Sequence, residues 1–267
     1  MGWKLDFISE EDFSKHVAAT IAQYDKKLLL INTQKFNSNI VDPVKMIFDK
    51  NVYQYSWEEL IGNEIFRQRD KSANNDIGYF HQRIFQYIAN CRVPDNGKEG
   101  GWDVIFQKEN GIELPGGDKV STVYVEMKNK HNTMNSSSAG KTYIKMQDQL
   151  LKDDDCACFL VEAIAKKSQN IKWTTTVNGQ GVSHRRIRRV SMDQFYALVT
   201  GSETAFYDMC MELPNTINKV VSGDKDISVP HDTVFEELKG IADSTDFENE
   251  EIAMAMAVYM LGFSSYL

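Results

Sequence analysis

Two short runs of β-prone residues, Trp102 to Phe106 and Val120 to Met127, interrupt a chain whose apolar residues otherwise recur mostly at intervals of three or four. Asn110-Gly111 and Pro115-Gly116-Gly117 stand between them and supply the residues that tight turns need. The pair is therefore expected to form a β-hairpin or meander, and the rest of the chain must cover it.

The flanking sequence says how. Before the pair, Phe13, Val17, Ile21 and Tyr24 predict a helix over 10–28, with Ser9 as its cap, and Asn32 to Asp42 reads as a loop. Val44, Ile47 and Phe48 resume helical spacing. A helix is expected from Trp57 to about Arg69, a break at Asn74-Asn75, and a further helix from Ile77 to Cys91. After the pair come a helix over Lys141 to Lys152, a buried strand over Cys156 to Ala163, and a strand over Trp173 to Val177. Helices from Ser191 to Val199, Phe206 to Leu213 and Glu250 to Phe263 complete the pattern. The order predicts an α/β fold, a mixed β-sheet flanked by helices. The expected organisation is one domain over 1–267: a mainly helical part to 100, a sheet core over 101–200, and a helical, acidic part beyond.

Charge bears on the partner. The net charge of −8 looks wrong for a protein that grips a polyanion, but 222–251 carries ten acids against Lys225 and Lys239, which accounts for all of it. By contrast 165–190 holds Lys166, Lys167, Lys172, Arg185, Arg186, Arg188 and Arg189 and no acid. The longest apolar run, Ile252 to Phe263, is too short to cross a bilayer, no signal-like segment opens the sequence, and a cytoplasmic, membrane-free protein is expected. Cys91, Cys156, Cys158 and Cys210 include no CxxC pair and are expected as free thiols rather than zinc ligands.

Chemistry concentrates on the two strands. Asp103 lies early in the first, and Glu126 and Lys128 end the second, where alternation puts both on one face. If the strands pair, two carboxylates and an ammonium converge. Phosphodiester hydrolysis uses that combination: oxygen ligands hold Mg²⁺, with Mn²⁺ as a substitute, and a cation orients the attacking water and offsets transition-state charge. Hard carboxylates disfavour zinc. Gly140-Lys141-Thr142 looks like the end of a phosphate-binding P-loop, but Asn135 stands where the first glycine belongs, which argues against an NTPase.

The strings Phe36-Asn-Ser-Asn-Ile-Val-Asp-Pro, Arg67-Gln-Arg-Asp-Lys-Ser-Ala-Asn-Asn, Ile77-Gly-Tyr-Phe-His-Gln, Tyr124-Val-Glu-Met-Lys-Asn-Lys-His-Asn-Thr-Met-Asn and Arg188-Arg-Val-Ser-Met-Asp-Gln-Phe-Tyr together resemble the type II restriction endonucleases that cut GGNCC. The resemblance covers 30–215. It implies a PD-(D/E)xK nuclease core, Mg²⁺ dependence, a homodimer on palindromic double-stranded DNA, 5′-phosphate and 3′-hydroxyl products, and a partner DNA methyltransferase in a prokaryotic host. It also implies that Asp103 and Glu126 are the metal-binding acids, the Met127 carbonyl a further ligand, and Lys128 the catalytic lysine. Trp102 departs from the pattern, since the wider superfamily often has proline there. Glu64 is a candidate auxiliary acid, although an exposed helix face explains it as well. Other readings are a structure-specific repair or recombination nuclease and a non-catalytic DNA-binding protein.

Expected DNA contacts are Lys130, His131, Asn132, Asn135, Ser136 and Lys141, in the polar stretch leaving the catalytic strand, and Arg185, Arg186, Arg188 and Arg189, which a strand would split across two faces. His81 and Gln82 are candidates that a helix face explains nearly as well.

Overall fold

The computed structural model describes residues 2–26, 29–131, 133–223 and 231–262. In chain order its helices and strands are α1 (Glu10–Asp25), α2 (Thr33–Asn37), α3 (Pro43–Tyr53), α4 (Trp57–Arg83), β1 (Cys91–Arg92), β2 (Val104–Glu113), β3 (Lys119–Lys130), α5 (Ser136–Lys152), β4 (Cys156–Ile164), β5 (Asn170–Val177), β6 (Gln180–Ser191), α6 (Met192–Thr200), α7 (Ala205–Gly223), α8 (Val234–Asp243) and α9 (Glu250–Met260). Where the sequence reading has one domain, two compact units are found: Met1–Ile21 with Asp76–Lys225, and Ala22–Asn75 with Asp226–Leu267.

The first unit holds a six-stranded mixed sheet in the order β1-β2-β3-β4-β6-β5. β2 and β3 pair antiparallel, β3, β4 and β6 run parallel, and β5 returns antiparallel beside β6. A parallel neighbour needs a crossover, and α5 provides it between β3 and β4. Asn135 caps α5 by accepting from the Ser138 N–H. One sheet face packs Ile105, Cys158, Leu160 and Ile187 with Tyr143 and Met146 of α5. The opposite face packs Val123, Val125, Phe159, Val161 and Val190 with Phe13 and Val17 of α1, Phe80 of α4, Phe195 and Tyr196 of α6, and Met209 of α7. This is the α/β architecture that the sequence predicts.

The second unit is helical. Its core is built from Phe36, Met46, Trp57, Leu60, Ile61, Leu238, Met254 and Ala257. Asp42 caps α3 ahead of Pro43, and Asn249 caps α9.

Three local expectations are corrected. Asn74 and Asn75 do not break the helix, because the Asn74 amide donates back to the Asp70 carbonyl and α4 continues to Arg83. Asn110-Gly111 is not the hairpin turn but falls in β2 where the register shifts between Gln107 and Ile112. The turn is at Leu114 to Asp118, where Gly116 and Gly117 both have positive φ. The loop expected over 32–42 contains α2. The four cysteines are free, and among the described residues no helix is long and apolar enough to cross a membrane.

Candidate active site

Register brings the acids together. Val104 pairs with Val125, so Asp103, one residue before β2, falls opposite Glu126. The Asp103 N–H donates to the Val125 carbonyl at 2.9 Å, and Asp103 Oδ2 accepts from the Met127 N–H at 2.6 Å. Gln82, near the end of α4, donates to the Asp103 carbonyl at 3.3 Å. Lys128 Nζ donates to Glu126 Oε1 at 2.8 Å, as expected for i and i+2 on one strand face. The site therefore sits where β3 reaches its C-terminal end, on the face covered by α5.

Two further groups complete it. Lys145 of α5 donates to Glu126 Oε2 at 2.8 Å and to the Gly101 carbonyl at 2.7 Å, with its ammonium 4.1 Å from the Trp102 ring centroid. Trp102 itself is buried. Glu162 of β4 is in register with Lys128 and is only 1% exposed. It accepts from Arg189 Nε at 3.0 Å and from Arg189 Nη2, and its Oε2 lies 3.1 Å from His131 Nδ1.

The two acids are electrostatically unequal. Burial pushes the Asp103 carboxyl up, the Met127 N–H opposes that, and the charge of Glu126 adds to the rise, so it stands above the ordinary carboxylate range. Burial acts on Glu126 in the same sense, but hydrogen bonds from Lys128 and Lys145 outweigh it and hold Glu126 below its usual value. Among the described residues no group of three or more His, Cys, Asp or Glu is placed to hold a metal ion. The donors at the site are two carboxylates, hard oxygens of the class that Mg²⁺ or Mn²⁺ prefers over zinc, with both Glu126 oxygens engaged by ammonium groups.

The expected DNA contacts are dispersed. Lys130, Ser136 and Lys141 are exposed at the end of β3 and on the first turns of α5. Asn135 is engaged as the α5 cap, and Asn132 lies outside the described residues. His131 stands between Glu162 and Arg189. His81 turns toward Phe80 and Phe206 and away from the acids' face; burial, then the nearby His16, lowers its pKa to about 4. Glu64 is in the second unit, bonded to Arg67 and Gln68.

The arginine run needs the largest revision. No acid lies within 165–190, yet acids reach it from other strands. Arg185 and Arg186 lie 3.2 and 3.8 Å from Asp118 in the hairpin turn, and Arg189 is held by Glu162. Arg188 is 5% exposed and spends its guanidinium on Asn170 and on the carbonyls of Pro115 and Arg185. It is an internal brace, because its strand face points into the sheet packing and not toward a groove.

Sequence reasoning missed Lys145, which looks like any cation of an amphipathic helix. Glu162 did carry a signal, as the one acid in the apolar run Cys156–Ile164.

A family model described as Eco47II restriction endonuclease matches residues 5–222. The type II restriction enzyme Sau96I of Staphylococcus aureus is 30% identical over 218 residues, covering 79% of this chain and 78% of that protein. The type II restriction enzyme Eco47II of Escherichia coli is 29% identical over 252 residues, covering 89% of this chain and 98% of that protein. Matched over most of its length and through the strands that carry Asp103, Glu126 and Lys128, the chain belongs to the Eco47II restriction endonuclease family.

Proposed function

We propose that this protein is a Mg²⁺-dependent type II restriction endonuclease of the PD-(D/E)xK kind that cuts both strands of GGNCC or a related GC-rich palindrome, leaving 5′-phosphate and 3′-hydroxyl ends. The observation that carries the reading is the placing of Asp103 opposite Glu126 with Lys128 bonded to the latter, in a chain of this family. Asp103, Glu126 and the Met127 carbonyl would hold the ion, which supplies Lewis-acid polarisation of a phosphate oxygen. Lys128 Nζ orients the attacking water and offsets charge growing on the phosphate oxygens. Exposed cations, Lys166, Lys167, Lys172, Lys130 and Lys141, hold the backbone of the duplex. A DNA methyltransferase of the same specificity protects the host.

The test is digestion of a phage genome with Mg²⁺, with Mn²⁺ and with EDTA, followed by sequencing of the ends. Cutting at one short palindrome in either metal, and none in EDTA, is expected. Metal-independent cutting, or ends scattered without sequence preference, would refute the reading.

A palindrome cut in both strands calls for two symmetric sites, and we place the homodimer on α3. The apolar run from Ile252, which the sequence also offers as a dimer interface, is α9, whose Ala253, Met254, Ala257 and Val258 are buried in the helical core; Phe263 lies outside the described residues. By contrast α3 leaves Val44, Phe48 and Val52 more than half exposed at 60, 65 and 68%. They are spaced four apart about Phe48, so a two-fold axis at Phe48 sets Val44 of one copy on Val52 of the other. Phe48→Asp should convert a sedimenting dimer into a monomer, weakening association at least ~100-fold, with its melting temperature unchanged. A Phe48→Asp protein that stays dimeric at micromolar concentration refutes this face.

A further inference from the structure

Both oxygens of Glu126 are occupied by ammonium groups, Lys128 on Oε1 and Lys145 on Oε2. The first belongs to the triad just described; the second comes from another element and has no part in it. Its surroundings are specific. One ammonium is bonded to Glu126 on β3, bonded to the carbonyl of Gly101 two residues before Asp103, and seated on the face of Trp102. It thus ties together the two segments that carry the acids.

Two partly buried carboxylates set side by side repel, and a site that must stay assembled without its ion needs a cation in the ion's place. We propose that Lys145 is that placeholder, a positioning residue that neutralises and aligns Glu126 in the metal-free enzyme and yields Oε2 when a divalent ion arrives. The inference rests on the metal reading given above. An ammonium and a divalent ion cannot both take the same oxygen from the same side, so loading sets them in competition. Lys145 can yield at small cost, because the Gly101 carbonyl and the Trp102 ring remain to hold it beside the site. A merely structural lysine would behave oppositely: losing it would loosen Glu126 and weaken metal binding.

That difference in sign is the test. Calorimetric titration with Ca²⁺ alone, without DNA, is compared for wild type, Lys145→Met and Lys145→Arg, along with melting in EDTA and in Ca²⁺. Lys145→Met should bind Ca²⁺ about 5-fold tighter, the scale of one lost competing ion pair, and melt lower than wild type in EDTA, with Ca²⁺ closing the gap. Lys145→Arg keeps the charge, so its melting in EDTA should match wild type and its Ca²⁺ affinity should be no tighter. Unchanged or weaker Ca²⁺ binding by Lys145→Met, beside normal binding by wild type, overturns the placeholder alone. If Lys145→Met does not fold, tighter binding by Lys145→Arg overturns it. Wild type that binds no Ca²⁺ while retaining its fold overturns the metal reading and the placeholder with it.

Discussion

Asp103→Asn, Glu126→Gln and Lys128→Ala should each leave the protein bound to its DNA and slow cleavage at least ~100-fold, the scale of losing one major transition-state contact. The amides are chosen from the geometry. Asparagine at 103 can still accept from the Met127 N–H, while glutamine at 126 keeps one oxygen for one of the two ammonium groups and loses the bond to the other along with its charge. Binding is measured in Ca²⁺, which supports contact without cutting, and cleavage as single turnover in Mg²⁺. On the proposed mechanism the three groups act on one phosphate, so the double variant Asp103→Asn/Glu126→Gln should be little worse than either single one. Near-normal cleavage by either amide variant would remove that residue from the active site.

The largest expected effect on stability is at Glu162. Its carboxylate is almost fully buried in an otherwise apolar strand, and Arg189 is its counter-charge. Removing one partner of a buried pair leaves the other desolvated without compensation. Glu162→Ala should therefore cost about 3 kcal/mol and lower the melting temperature by roughly 6–12 °C for a chain of this size. Replacing both partners by apolar residues, Glu162→Leu with Arg189→Met, should recover most of that loss, because the orphaned charge disappears with its partner. Glu162→Ala melting within about a degree of wild type would show that Arg189 finds other partners or solvent. Cleavage should fall as well, since Glu162 faces Lys128 across the β3–β4 ladder.

Much of the architecture is legible in the sequence because it depends on local period. The alternation ending in Glu126 and Lys128, and the apolar run at Cys156, lead directly to β3 and β4. The meeting of Asp103 with Glu126 follows from one further assumption, that adjacent strands pair. What is not legible depends on partners remote in sequence. Nothing near Arg188 announces that Asn170 and Pro115 will enclose it, and nothing near Arg185 that Asp118 will face it. A cation-rich segment thus looks free for DNA until the fold supplies its acids. Asn74-Asn75 misleads differently: side chains that favour turns can bond back along a helix instead, as Asn74 does to the Asp70 carbonyl.

The mixed direction of the sheet also sets an order of assembly. A hairpin closes from neighbouring residues within microseconds, whereas parallel strands must wait for their crossover and for loop-closure entropy to be repaid. Asp103 and Glu126 share the β2–β3 hairpin; Lys145 arrives only with the α5 crossover, and Arg189 only with β6. A chain leaving the ribosome therefore gathers its two carboxylates with Lys128 first and acquires Lys145 only when α5 seats. The half-built nuclease holds two carboxylates against one ammonium during that interval, and the seating of α5 supplies the second cation that makes the hairpin end a settled structure.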